Sequence, residues 1–176
     1  EIPVGGAYQK LNVELYGGAL LAPWFDRPLS VAGRLLLRTA EGVRTCLVDA
    51  GRDLVLIPSL AIHMNREVNA GYAYRVQRDL LPLYGGAEAR DLTVLLAQEA
   101  GVNPEDVLDH DLFVYDRQPP SIWGAEREFL SSPRLDDTQC AFASLTGFLE
   151  SEGGESLPVH VVFDNEEIGS STRQGA

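Results

Sequence analysis

Positive charge is scarce in this chain: 14 Lys and Arg stand against 26 Asp and Glu, a formal net charge of -12. That excess repels a phosphate backbone and gives up the counterion release that drives nucleic-acid binding, so nucleic acid is excluded as a partner. Cysteine is scarcer still. Cys46 and Cys140 are far apart and lack the paired spacing of a metal clamp, which excludes a disulfide framework and reads as core thiols of a reducing, cytoplasmic compartment. Long apolar runs are missing as well, and nothing approaches the roughly 18 consecutive apolar residues of a membrane helix. Glu1 leads into Ile-Pro instead of a basic start and an apolar stretch, so no export signal is expected, and both ends of the chain look cut. There is no internal repeat and no low-complexity tract.

What is present fits one or two compact domains of a 176-residue chain, 45% apolar and 23% charged. Residues 8–16 alternate, with Leu11, Val13 and Leu15 on one face, the period of a half-buried strand. Leu29 to Thr39 reads as a second strand with Gly33 as a bulge or a close backbone approach, and Glu41-Gly42 as a hairpin turn into Arg44 to Asp49. After the apolar run Leu54 to Ile57, Ser59 is placed to cap a helical turn over Leu60 to Asn65, with His63 near its end. Residues 66–87 show no period. Helical spacing returns over Glu88 to Ala100 with Gly101 as its stop, and Asn103-Pro104 has the form of a capped helix start. Leu112 to Tyr115 reads as a strand, Asp137 to Leu149 as a helix, and Val159 to Phe163 as a strand buried on both faces. The fold class is therefore α/β: a strand-rich, β-barrel-like module over residues 1–126, then one helix and one central strand of a second domain over 127–176.

The sharpest local feature follows that last run. Asp164, Glu166 and Glu167 cluster before Gly169-Ser170, where a strand of an open sheet would deliver them to a ligand crevice. Neighbouring glutamates point in different directions, so one can bind a metal while the other stays free as a general base; a solvated acidic loop explains the stretch equally well. Asp136 and Asp137 in Pro133-Arg134-Leu135-Asp136-Asp137 read as helix-capping residues or, alternatively, as a bridge between two cations. His63 after an apolar turn, His110 at a helix end and His160 in a strand are most simply structural. Trp24, Phe25 and Trp123 read as core or interface aromatics, and Asp26 with Arg27 as a local ion pair or turn.

Taken together, PRLDD at 133–137, DNEEIGSSTRQGA at 164–176, YGGALLAPWFDRPLSVAGRLLLR at 16–38, IPSLAIHMNREVN at 57–69 and QPPSIWGAEREFL at 118–130 resemble the aspartyl aminopeptidase family of cocatalytic zinc metallopeptidases. The resemblance implies a zinc aminopeptidase that removes N-terminal acidic residues from peptides with two zinc ions per site. It implies that Asp136 bridges the two ions, that Glu167 binds one of them, and that Glu166 is the general base. It also implies that His63 projects from a dimerisation domain into a neighbouring subunit's active site to stabilise the oxyanion, and that the partners are a peptide substrate and further copies of the chain, as a dimer or a larger shell. Asp137 stands where the family usually has Asn. The remaining zinc ligands of the family fall outside this segment, so the chain alone is expected to be inactive and its last stretch to lack neighbouring strands. Two other classes stay open from the residues: an assembly module built on residues 8–126, and a glycoside hydrolase with Asp136 and Glu166 as acid and base.

Overall fold

The computed structural model describes residues 1–175. It divides into two compact units, one holding Glu1–Leu15 and Ala19–Arg117, the other Tyr16–Gly18 with the residues from Gln118 on.

The first unit is strand-rich. β1 (Ile2–Val4), β2 (Tyr8–Lys10), β3 (Leu29–Thr39), β4 (Gly42–Asp49), the single turn of α1 (Val76–Asp79), β5 (Leu83–Gly86), α2 (Leu92–Glu99) and β6 (Val107–Asp116) follow in chain order. They form two antiparallel sheets, β1-β2-β5 and β4-β3-β6, and neither closes into a barrel. β3 is the central strand of the second sheet and runs over the residues its alternation predicts. Val31, Leu35 and Leu37 turn to the core while Arg34 and Arg38 face out. Leu29 and Leu35 are both 0% exposed, and burying each such side chain contributes about 1.5–3 kcal/mol. Gly33 lies opposite Val48 on one neighbour and Leu112 on the other. A Cβ there would run into the Asp111 carbonyl oxygen, so the close approach read from sequence is real.

α2 lays Leu96 and Ala97 into the same core. It starts at Leu92 because the Asp91 carboxylate accepts from the Thr93 and Val94 N–H groups at 2.8 and 3.1 Å. Gly101, in the left-handed region at φ 69°, follows its end. Asn103 caps as expected, accepting from Glu105 N at 3.2 Å, but the result is one 3-10 turn, because β6 takes over at Val107. His110 consequently lies exposed on β6 and not at a helix end.

Other expectations change too. The alternating stretch 8–16 pairs only as far as Lys10; Leu11 leaves the ladder, its N–H donating to the Pro82 carbonyl at 2.9 Å, although its side chain still reaches the core. The segment after Ser59 makes one turn, with Met64 and Asn65 N–H groups both donating to the Ala61 carbonyl, and does not propagate into a helix. Ser59 does not cap it: its hydroxyl and its N–H are both engaged by the Asp26 carboxylate.

The second unit carries the hairpin β7 (Ser121–Trp123) and β8 (Phe129–Ser131), the helix α3 (Leu135–Glu150) and the one-turn α4 (Glu166–Gly169). Trp123 and Phe129 stack across the hairpin with centroids 4.7 Å apart. The run Val159 to Phe163 pairs with no strand among the described residues, and Val159 and Phe163 are 73% and 60% exposed. A strand buried on both faces needs a neighbour at each edge and a layer over each face, and the described residues provide neither. His160 is accordingly not a strand residue; its Nε2 lies 3.0 Å from Ser144 Oγ and its ring packs beside Phe148. Cys140 is exposed, so only Cys46 answers to the core thiol expected of both, and the two are free.

Candidate active site

Asp136 and Asp137 open α3, and both depart from helical backbone, at φ -85°, ψ 114° and φ -117°, ψ 21°. Just before them Arg134 adopts the left-handed conformation at φ 63°, and its carbonyl accepts the Thr138 hydroxyl proton. The irregular start turns Asp136 out of the helical series that follows, and it is exposed, as a carboxylate offered to a ligand must be. The peptide joining Asp136 to Asp137 is cis.

Glu166 and Glu167 are the first two residues of α4, a single turn closed by Gly169 N–H donating to the Asn165 carbonyl at 2.6 Å and Ser170 N–H to Glu166 at 3.1 Å. On a helix, adjacent residues diverge by about 100°. The two carboxylates thus separate as the sequence reading requires, though on a helical turn and not at a strand end. Glu167 is held from outside α4: the Gly18 N–H donates to its Oε2 at 3.4 Å, and the Tyr16 hydroxyl reaches Asn165 Oδ1 at 3.5 Å. Tyr16, Gly17 and Gly18 are distant in sequence, and although they open the 16–38 motif, nothing local marks them as neighbours of Glu167.

His63 belongs to the first unit, at the exposed tip of the segment following Ile57. Asp26 and Arg27 do not pair with each other. Asp26 sits in a left-handed turn at φ 56°, and Arg27 Nη1 reaches Asp116 Oδ2 at 2.7 Å.

Among the described residues no group of three or more His, Cys, Asp and Glu side chains is close enough to hold a metal ion. A stable zinc centre takes four ligands, usually including imidazole. Asp136 and Glu167 therefore fit as contributors of oxygen to a zinc site and do not complete one.

Residues 5–176 match the family model described as Aminopeptidase I zinc metalloprotease (M18). The chain belongs to the M18 family. Its similarity to the probable M18 family aminopeptidase 2 of Clostridium acetobutylicum is 43% identity over 97% of this chain, and to that of Clostridium novyi 45% over 97%. It spans 41% of the length of each. Among solved structures, the fold matches the crystal structure of prApe1 with a TM-score of 0.81 at 30% identity, covering 99% of this chain and 42% of that one. It also matches the mApe1 dodecamer of S. cerevisiae with a TM-score of 0.70 at 29% identity, over 96% of this chain and 40% of the other. The chain is mixed α/β and strand-rich, and its fold is that of these solved relatives.

Proposed function

We propose that this chain is part of a zinc-dependent aminopeptidase that removes N-terminal, acidic residues from peptides in the cytoplasm and works as a homo-oligomer with two zinc ions per site. The observation that carries this reading is the pair Glu166 and Glu167 on one short helical turn, of which, among the described residues, Glu167 is the one anchored, by Gly18. The anchored carboxylate is the metal ligand, because a ligand must hold its direction and outer hydrogen bonds supply that. The unanchored one, Glu166, is the general base, which must swing between accepting a proton from the attacking water and returning it to the leaving amine.

Asp136 and Glu167 would hold the zinc, with Asp136 supplying the anionic charge that would offset the repulsion of two cations. Bound zinc contributes Lewis acidity, polarising the scissile carbonyl and acidifying water. His63 donates a hydrogen bond to the oxyanion in a neighbouring copy's site. The family's M18 description and the dodecameric yeast relative support the zinc and the assembly. Asp136 and Glu167 do not complete a zinc site among the described residues, so the 176-residue chain alone is expected to hydrolyse nothing.

The test uses the whole protein. Release of an N-terminal Asp or Glu should stop in chelator and return with zinc, and Glu166→Gln should lower kcat by about 100- to 10,000-fold while zinc content stays the same. Full activity in chelator, or a fully active E166Q enzyme, sinks the reading.

A further inference from the structure

Residues 57–79 form an excursion from the first unit that carries His63 at its tip. Both of its feet are gripped by one dipeptide, Phe25-Asp26. At the outgoing foot, Phe25 forms a parallel bridge with Ile57, the Asp26 N–H donates to the Ile57 carbonyl at 2.9 Å, and Asp26 Oδ1 accepts from the Ser59 N–H at 2.8 Å. At the returning foot, the Phe25 ring stacks on Tyr74 with centroids 4.9 Å apart and planes inclined by 29°. Tyr74 in turn meets Tyr72 edge-on at 5.5 Å. The Tyr72 hydroxyl donates to Asp79 Oδ2 at 2.9 Å, and the same oxygen accepts from the Arg75 N–H at 2.8 Å, which fixes the start of α1.

Between the feet there is little to hold the chain. Leu60, Ile62, His63 and Met64 are exposed, and the backbone bonds between the feet are local ones: Met64 and Asn65 to Ala61, Val68 to Asn65, and Ala70 to Glu67 in the 3-10 turn Val68–Ala70. A segment with few buried contacts opens cheaply, so its direction is set where it is attached. Asp26 is suited to the attachment. It occupies the left-handed region at φ 56°, which Asp tolerates better than most residues, and hydrogen bonding from Ser59 keeps its carboxyl below the ordinary carboxylate range, hence charged and accepting.

We propose that Asp26, backed by Phe25, is a positioning residue that clamps the feet of the 57–79 excursion and so sets the direction in which His63 is presented. The catalytic consequence rests on the oxyanion role given to His63 above.

Two substitutions in the whole protein separate side chain from backbone. Asp26→Gly keeps the left-handed turn comfortable and removes the acceptor; Asp26→Asn keeps both. In D26G, hydrogen exchange should quicken across 57–65 while the amides of β3, β4 and β6 keep their protection, and kcat should fall by about 10- to 100-fold with KM little changed. D26N should recover most of both losses. D26G combined with His63→Ala should be no slower than H63A alone. Unchanged exchange across 57–65 in D26G overturns the clamp. Losses that multiply in the double variant overturn the link from Asp26 to His63. An H63A enzyme at the wild-type rate, with exchange still quickened in D26G, defeats the role given to His63 in the proposed function and leaves the clamp standing.

Discussion

Gly17 and Glu167 compete for the same space: a Cβ built on Gly17 lies 2.6 Å from the Glu167 Cβ and 2.8 Å from its carboxyl carbon. Gly17 is also in the left-handed region, at φ 65°, and its neighbour Gly18 supplies the N–H that meets Glu167 Oε2. Position 17 therefore needs glycine to clear the carboxylate, whereas position 18 contributes only its backbone N–H, and a Cβ there would meet nothing within 4 Å.

With Glu167 in the zinc-binding role proposed above, Gly17→Ala in the whole protein should push it off its position and weaken zinc by about 10- to 100-fold, the loss typical of removing an outer hydrogen-bond partner of a ligand. Competition with a chromophoric chelator measures it directly, without activity. An affinity equal to that of the unaltered protein would show that Glu167 does not depend on the Tyr16–Gly18 segment.

Gly33→Ala places a methyl against the Asp111 carbonyl and 2.9 Å from the Leu112 Cα. Backbone cannot move aside as a flexible side chain would, so the β3–β6 pairing must shift. A loss of about 1–3 kcal/mol is expected in urea denaturation. A midpoint that stays put would mean the two strands separate there without cost.

Acid sensitivity should trace in part to Asp49. The Tyr115 hydroxyl and the Gly51 N–H, at 2.7 and 2.8 Å, hold its carboxyl below the ordinary 3.8, against a smaller opposing effect of burial. A carboxyl depressed in the folded state contributes stability that is complete above its unfolded value and is lost as pH falls through the folded value. Urea midpoints should therefore drop below pH 3.8, and Asp49→Asn should make that decline shallower. A variant whose decline is as steep as the parent's would assign the acid sensitivity elsewhere.

The strand-rich unit was largely legible in the sequence where one face is buried and one is wet. β3 runs as its alternation says, because Val31, Leu35 and Leu37 lose their water while Arg34 and Arg38 keep theirs. Legibility failed where a partner from afar decides. The 8–16 stretch has the right alternation, yet pairing stops once Leu11 is claimed by Pro82. The cap at Ser59 failed because Asp26 takes the Ser59 hydroxyl as well as its N–H, and the run 159–163 has a central strand's composition without, among the described residues, the neighbours that make one.

The candidate site divides in the same way. The residue types proposed for the chemistry are written locally, since Asp136, Glu166 and Glu167 stand in the short motifs at 133–137 and 164–176. The sequence by itself determined the family, the acidic character of the site and the span of β3, because each depends on side-chain chemistry or on a period of a few residues. Only the tertiary structure decided that Gly18 holds Glu167 and that Phe25-Asp26 grips both feet of the His63 excursion. Those contacts join residues far apart in the chain, and a long-range contact is set by how the whole backbone closes, which no local pattern encodes.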